Sequence, residues 1–99
     1  MRILAIHAHP DDIEFLAAGT LYLLKQNGHE IFIATMTAGD KGSKVMDSVQ
    51  TANIRREEAA RAARVAGAEY ACLEFGDYEV FDNDSSRRKT TEHIRRVAP

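Results

Sequence analysis

Cysteine is nearly missing from this 99-residue chain, and what is missing sets the first limits. Cys72 stands alone, so no intramolecular disulfide can form, and a reducing, cytoplasmic compartment is expected. There is no apolar run of about 18 residues, and Met1-Arg2-Ile3 leads straight into an expected strand without a signal-like apolar segment, so no membrane association is expected. Positive charge is not in excess either. The formal net charge is -2, and Arg55, Arg56, Arg61 and Arg64 share one expected helix with Glu57 and Glu58, which reads as a solvated face; nucleic acid is not an expected partner. The glycine-containing stretch Gly39-Asp40-Lys41-Gly42 has neither the P-loop spacing nor the dinucleotide fingerprint, so it gives no support for a nucleotide cofactor.

What is present reads as α/β. With 44% hydrophobic residues the chain makes one domain at most. Apolar runs predict strands over residues 2–8, 30–36 and 69–75. Between and after them, helical patterns cover about 12–26, with Leu16, Thr20, Leu23 and Leu24 on its apolar face, then about 51–66 and 87–97. Asn27-Gly28 and Gly67 are helix stops, and Asp82-Asn83-Asp84-Ser85-Ser86 is a polar loop with an N-cap. Three strands separated by helices fit one half of a doubly wound parallel sheet, in which the first strand would keep an open edge.

The stretch with chemistry in it is Ala5-Ile6-His7-Ala8-His9-Pro10-Asp11-Asp12-Ile13-Glu14. Pro10 cannot donate to a strand ladder, so the first strand should end there and a helix should start near Asp11 or Asp12. That corner lies at the carboxyl end of a strand, where open α/β sheets bind ligands. His9 and Asp12, three residues apart, can converge on one ion, and imidazole plus carboxylate suits zinc. Asp11 is left over, beside the metal but not bound to it, where it could take a proton from an activated water. The competing local reading is that both acids cap a helix and complement its dipole, although capping does not call for His9 before Pro10. His7 shares the strand face with His9, yet same-face neighbours lie roughly 6.6 Å apart, which favours a packing role. His29 falls at the opposite end of the sheet, and His93 is read as a surface residue.

His9-Pro10-Asp11-Asp12-Ile13-Glu14, after an apolar strand and before Ala18-Gly19-Thr20, resembles the N-terminal signature of the LmbE-like family, the PIG-L type zinc-dependent N-deacetylases. Arg55 and Glu58, followed by Gly67, resemble that family's Arg-x-x-Glu helix. The resemblance implies a Rossmann-like three-layer fold and removal of acetyl groups from N-acetylglucosaminyl compounds or related amides. It implies Zn2+ as cofactor, His9 and Asp12 as ligands, Asp11 as general base and Arg55 facing substrate. Without it, Arg55 and Glu58 read as an intrahelical ion pair. Asp77, after the third strand, would meet either a sugar hydroxyl or its own Asx-type turn.

The family's third zinc ligand comes from a histidine-rich motif well beyond the first hundred residues, and no such motif is present here. Residues 1–99 are therefore expected to be the N-terminal part of a single LmbE-like domain, three strands and three helices of a larger fold, with weak or no activity alone. If the chain were complete, its open edge would pair with a second copy, making a homo-oligomer. A different class also fits an acidic pair after strand one and an aspartate after strand three: a non-enzymatic, magnesium-binding receiver-like module built on Asp11, Asp12 and Asp77. Zinc held through His9 would favour the hydrolase, and oxygen-only magnesium binding the receiver.

Overall fold

The computed structural model describes residues 1–99. Three strands form one parallel sheet in the order β1-β2-β3: β1 is Arg2–His7, β2 is Glu30–Thr37 and β3 is Glu69–Phe75. The pairing runs from Arg2 opposite Glu30 to His7 opposite Thr35, and from Phe32 opposite Glu69 to Thr35 opposite Cys72. β2 is the middle strand and is covered on both faces, so Ile31, Ile33, Ala34, Thr35 and Thr37 are all buried. β1 has a neighbour on one side only, as its expected open edge requires.

The helices are α1 (Asp12–Leu16), α2 (Ala18–Gln26), α3 (Ser48–Val65) and α4 (Asp84–Val97). The single helix expected over 12–26 is thus two. Ala17, at φ -137° and ψ -7°, leaves helical geometry and joins them. On an unbroken helix Ile13 and Leu21 would point about 80° apart. The bend lets both reach the sheet, where they pack with Ile31, Ile33 and Ala63 as the core. The expected apolar face needs correcting as well: Leu16 and Leu23 are exposed, and Ile13, Ala17, Leu21 and Leu24 face inward. Because Phe15, Leu16, Tyr22 and Leu23 make this segment apolar nearly all round, periodicity could not select the buried stripe.

α3 starts three residues before its expected position because Asp47 caps it, accepting the Gln50 amide at 2.8 Å. α4 begins inside the expected capping loop, where Asn83 and Ser86 form a reciprocal capping box. Residues alternate between sheet faces, so α1, α2 and α3 cover the face carrying Ile31 and Ile33, and Val97 of α4 is buried near Phe32 and Ala71 on the other. His93 is half-buried there instead of lying free on the surface, and burial followed by the nearby Arg96 charge pushes its imidazole below the usual histidine range.

A bulge closes β3. Thr35 pairs with Cys72 but Thr37 pairs with Phe75, so β3 carries one extra residue against Met36. Glu74 sits in that step at φ 63°, a conformation unusual for a non-glycine residue. Its carboxylate accepts two hydrogen bonds from Arg56 of α3, at 2.8 and 2.7 Å. The bulge re-aims the chain after β3 and so sets where Asp77 arrives.

Candidate metal and water-activation site

Three strand ends and two helices build the site. β1 ends at His7 and the chain turns through Pro10, so that Asp12 opens α1 and its Oδ2 accepts the backbone amide of His9 at 2.9 Å. This hydrogen bond folds the corner back and brings the His9 Nδ1 to 3.7 Å from the same Asp12 oxygen. Two ligands of a tetrahedral zinc, each about 2.0–2.2 Å from the ion, lie about 3.4 Å apart. A slight closure of His9 toward Asp12 would bring the pair to that spacing, and a borderline nitrogen beside a hard oxygen suits zinc better than magnesium. No group of three or more His, Cys, Asp or Glu side chains in the chain is arranged to hold a metal, so His9 and Asp12 could supply at most half of a four-ligand set.

Asp11 points elsewhere. Its side chain is more than half exposed, and its Oδ1 lies 3.2 Å from the Arg55 guanidinium, which reaches across from α3. Arg55 also donates to the Gly39 carbonyl at 3.1 Å. The guanidinium runs directly over the backbone of Gly39 and Gly42; a side chain at either position would collide with it. Gly39 is also in the left-handed region, at φ 67°, so the loop needs glycine there on both counts. The local reading of Arg55 as the partner of Glu58 is not what the structure shows: Arg55 pairs with Asp11, and Glu58 is exposed.

Asp77 arrives from the end of β3 and is closed off from solvent, with 6% of its surface exposed. Its Oδ1 accepts the Thr37 hydroxyl at 2.6 Å and its Oδ2 the Lys41 amide at 3.0 Å. The Lys41 ammonium donates to the Asp77 carbonyl, and the Asp77 amide donates to Asp40, so the rim loop after β2 is tied to the end of β3. Burial alone would raise the carboxyl of Asp77. The Thr37 hydroxyl, the Lys41 amide and the charges of His9 and Arg55 outweigh it and hold the group below the usual aspartate range. The His9 Nε2 is 3.6 Å from Asp77 Oδ1.

His9, Asp11, Asp12, Arg55 and Asp77 are thus brought to one rim. His7 is half-buried on β1 and its ring makes no hydrogen bond, and His29 lies at the far end, beside the Met1 amino group. Sequence reasoning missed Thr37 and the Arg55 cradle. Threonine at a strand end has many uses, and the pairing with Asp77 spans forty positions, so only the paired glycines of the loop hinted at a close approach. Cys72 is half-buried and burial pushes its thiol up, away from nucleophilic use.

Residues 4–99 match the family model described as PIG-L: GlcNAc-PI de-N-acetylase, and the chain belongs to that family. The N,N'-diacetylchitobiose deacetylase of Pyrococcus horikoshii superposes with a TM-score of 0.92 at 30% identity, over 99% of this chain and 38% of that one. The 4-oxalmesaconate hydratase of Pseudomonas putida is 26% identical over 97% of this chain and 40% of its own length. A 1D-myo-inositol 2-acetamido-2-deoxy-alpha-D-glucopyranoside deacetylase of Nakamurella multipartita is 43% identical over 50% of this chain, 17% of its own. The chain thus spans two-fifths or less of these relatives. Three parallel strands with flanking helices are what this chain shares with the Pyrococcus horikoshii structure. Family membership leaves the receiver-like alternative without support, and Asp77, its third carboxylate, is instead engaged by Thr37 and Lys41.

Proposed function

We propose that residues 1–99 form the N-terminal, water-activating part of a zinc-dependent N-deacetylase acting on an N-acetylated amino sugar, working in the cytoplasm. The observation that carries the proposal is the convergence of His9 Nδ1 and Asp12 Oδ2 to 3.7 Å on a strand-end rim, with Asp11 beside them and outside the pair. His9 and Asp12 would hold the ion, and when bound it supplies a polarised carbonyl and an acidified water. Asp11 removes the proton from the water that adds to the amide carbon. It then returns that proton to the nitrogen as the C–N bond breaks, giving acetate and a free amine.

Arg55 fixes the Asp11 carboxylate so that one oxygen stays oriented for this transfer. Its side chain is about one-fifth exposed, which leaves part of the guanidinium for the substrate or the developing oxyanion. The matched relatives include deacetylases and a hydratase, which have the addition of water in common, so the portion aligned here fits water activation while the choice of substrate rests on other segments.

The test is zinc affinity of the chain beside His9→Ala and Asp12→Ala, with magnesium as competitor, together with amine release from N-acetylglucosamine conjugates. Each substitution should weaken zinc binding at least about tenfold. Any amine release should be slow and lost in Asp11→Asn. Zinc affinity indifferent to both substitutions, or hydration of 4-oxalmesaconate with no amine release, would overturn the reading.

A further inference from the structure

The His9 ring lies between two carboxylates, one at each nitrogen: Asp12 Oδ2 at 3.7 Å from Nδ1 and Asp77 Oδ1 at 3.6 Å from Nε2. A neutral imidazole carries one proton, so it donates to one of them and turns a lone pair toward the other. The two acids are not equivalent. The Asp77 side chain is 8% exposed and that of Asp12 is 32%. A charge in the drier surroundings acts more strongly on the ring. Asp77 is also immobilised, because its two carboxylate oxygens, its amide and its carbonyl are all bonded to Thr37, Lys41 and Asp40. Asp12 sits in the first turn of a five-residue helix, with its Oδ2 already accepting the His9 amide.

We infer that Asp77 is a positioning residue for His9: its carboxylate takes the Nε2–H and so keeps Nδ1 unprotonated and directed at the Asp12 carboxylate. The use of this arrangement rests on the proposed metal reading. A cation between Nδ1 and Asp12 needs the Nδ1 lone pair, and a proton on Nδ1 would close the site by hydrogen-bonding to Asp12. Asp77 then selects the ring form able to bind metal before metal arrives. This explains why a buried aspartate stands at the end of β3 with a hydroxyl and two loop residues devoted to holding it. It also gives Asp77 a use other than either expected one, since its burial leaves little room for a sugar hydroxyl.

The test reads the tautomer of His9 directly, by nitrogen NMR of 15N-histidine-labelled, chelator-treated chain at alkaline pH. Wild type should carry the proton on Nε2. In Asp77→Asn a second population with the proton on Nδ1 should appear. Arg88→Ala, on the exposed face of α4 where it pairs only with Asp84, should keep the wild-type spectrum. Zinc titration should show affinity lowered about 10- to 100-fold in Asp77→Asn and little changed in Arg88→Ala. A wild-type proton on Nδ1, or the same tautomer in folded Asp77→Asn, overturns the inference; the first of these is decided even if that variant does not fold. If no variant binds zinc, the metal reading fails while the tautomer still decides the role of Asp77.

Discussion

Replacing Thr37 by valine should cost far more than the loss of one hydroxyl suggests. The Thr37 Oγ1 has one proton, and it goes to Asp77 Oδ1 at 2.6 Å; the nearby Ala8 carbonyl, 3.3 Å away, already receives the Thr37 amide. The same oxygen accepts the Gly39 amide at 3.1 Å. Valine fills the space but removes both bonds, with Thr37 and Gly39 buried. A hydrogen bond to a charged group is worth about 1.5–3 kcal/mol, and a buried amide left without a partner costs about 1–3 kcal/mol. Thr37→Val should therefore lose about 3–5 kcal/mol, a large part of the roughly 5–15 kcal/mol typical of a domain. With a urea slope of about 1.5 kcal/mol/M, the unfolding midpoint should fall by about 2–3 M. Thr37→Ser, which keeps the hydroxyl, should recover most of it. Losing the hydroxyl also raises the Asp77 carboxyl in the folded state, so Thr37→Val should begin to lose stability at a higher pH on acidification. A midpoint shift under about 0.5 M in Thr37→Val would refute this view of the hydroxyl as the tie between β2 and β3.

In wild type, acid should act in two stages. The imidazole of His93 is depressed by burial and by Arg96, so the unfolded chain takes up a proton first, and stability should decline gently from about pH 6.5 downward. Glu74 is held low chiefly by its hydrogen bonds from Arg56, and Asp77 is low despite burial; both contribute stability that is full above about pH 4.3 and lost as pH falls through their folded values. Urea melts across pH 3–8 would check this, and a flat profile that His93→Gln does not change would remove the first stage. In Gly42→Ala the new methyl would sit 2.6 Å from Arg55 Nη1 and 3.2 Å from the Gly39 carbonyl. Arg55 must then shift off Asp11, and activity should drop by up to about 10²-fold with the fold retained. Gly19→Ala, whose methyl meets nothing, should be silent in the same assay.

Three strands and the corner at His9-Pro10-Asp11-Asp12 were readable because each is written in neighbouring residues. An apolar run makes a strand, a proline ends it, and a histidine three positions from an aspartate can share an ion. The split at Ala17 was not readable, since neither proline nor glycine marks it; it serves the packing of Ile13 and Leu21 against strands distant in sequence. Nor was the inward stripe of α1 and α2, where apolar residues on nearly every side leave the sheet to choose.

The same division runs through the site. His9, Asp11 and Asp12 are local, and their spacing is what points to a shared ion. Their orientation is set by groups 28 to 68 positions away: Thr37 on β2, Arg55 on α3 and Asp77 just after β3. Such residues carry no signature, because a threonine, an arginine or an aspartate becomes a positioning group only when the sheet register delivers it. The register here depends on the bulge at Glu74, which inserts one residue before the rim. Were the bulge drawn out into regular strand, Glu74 would face Thr37 and Asp77 would stand about 3.3 Å further along the strand direction, beyond the reach of the Thr37 hydroxyl and of the His9 ring.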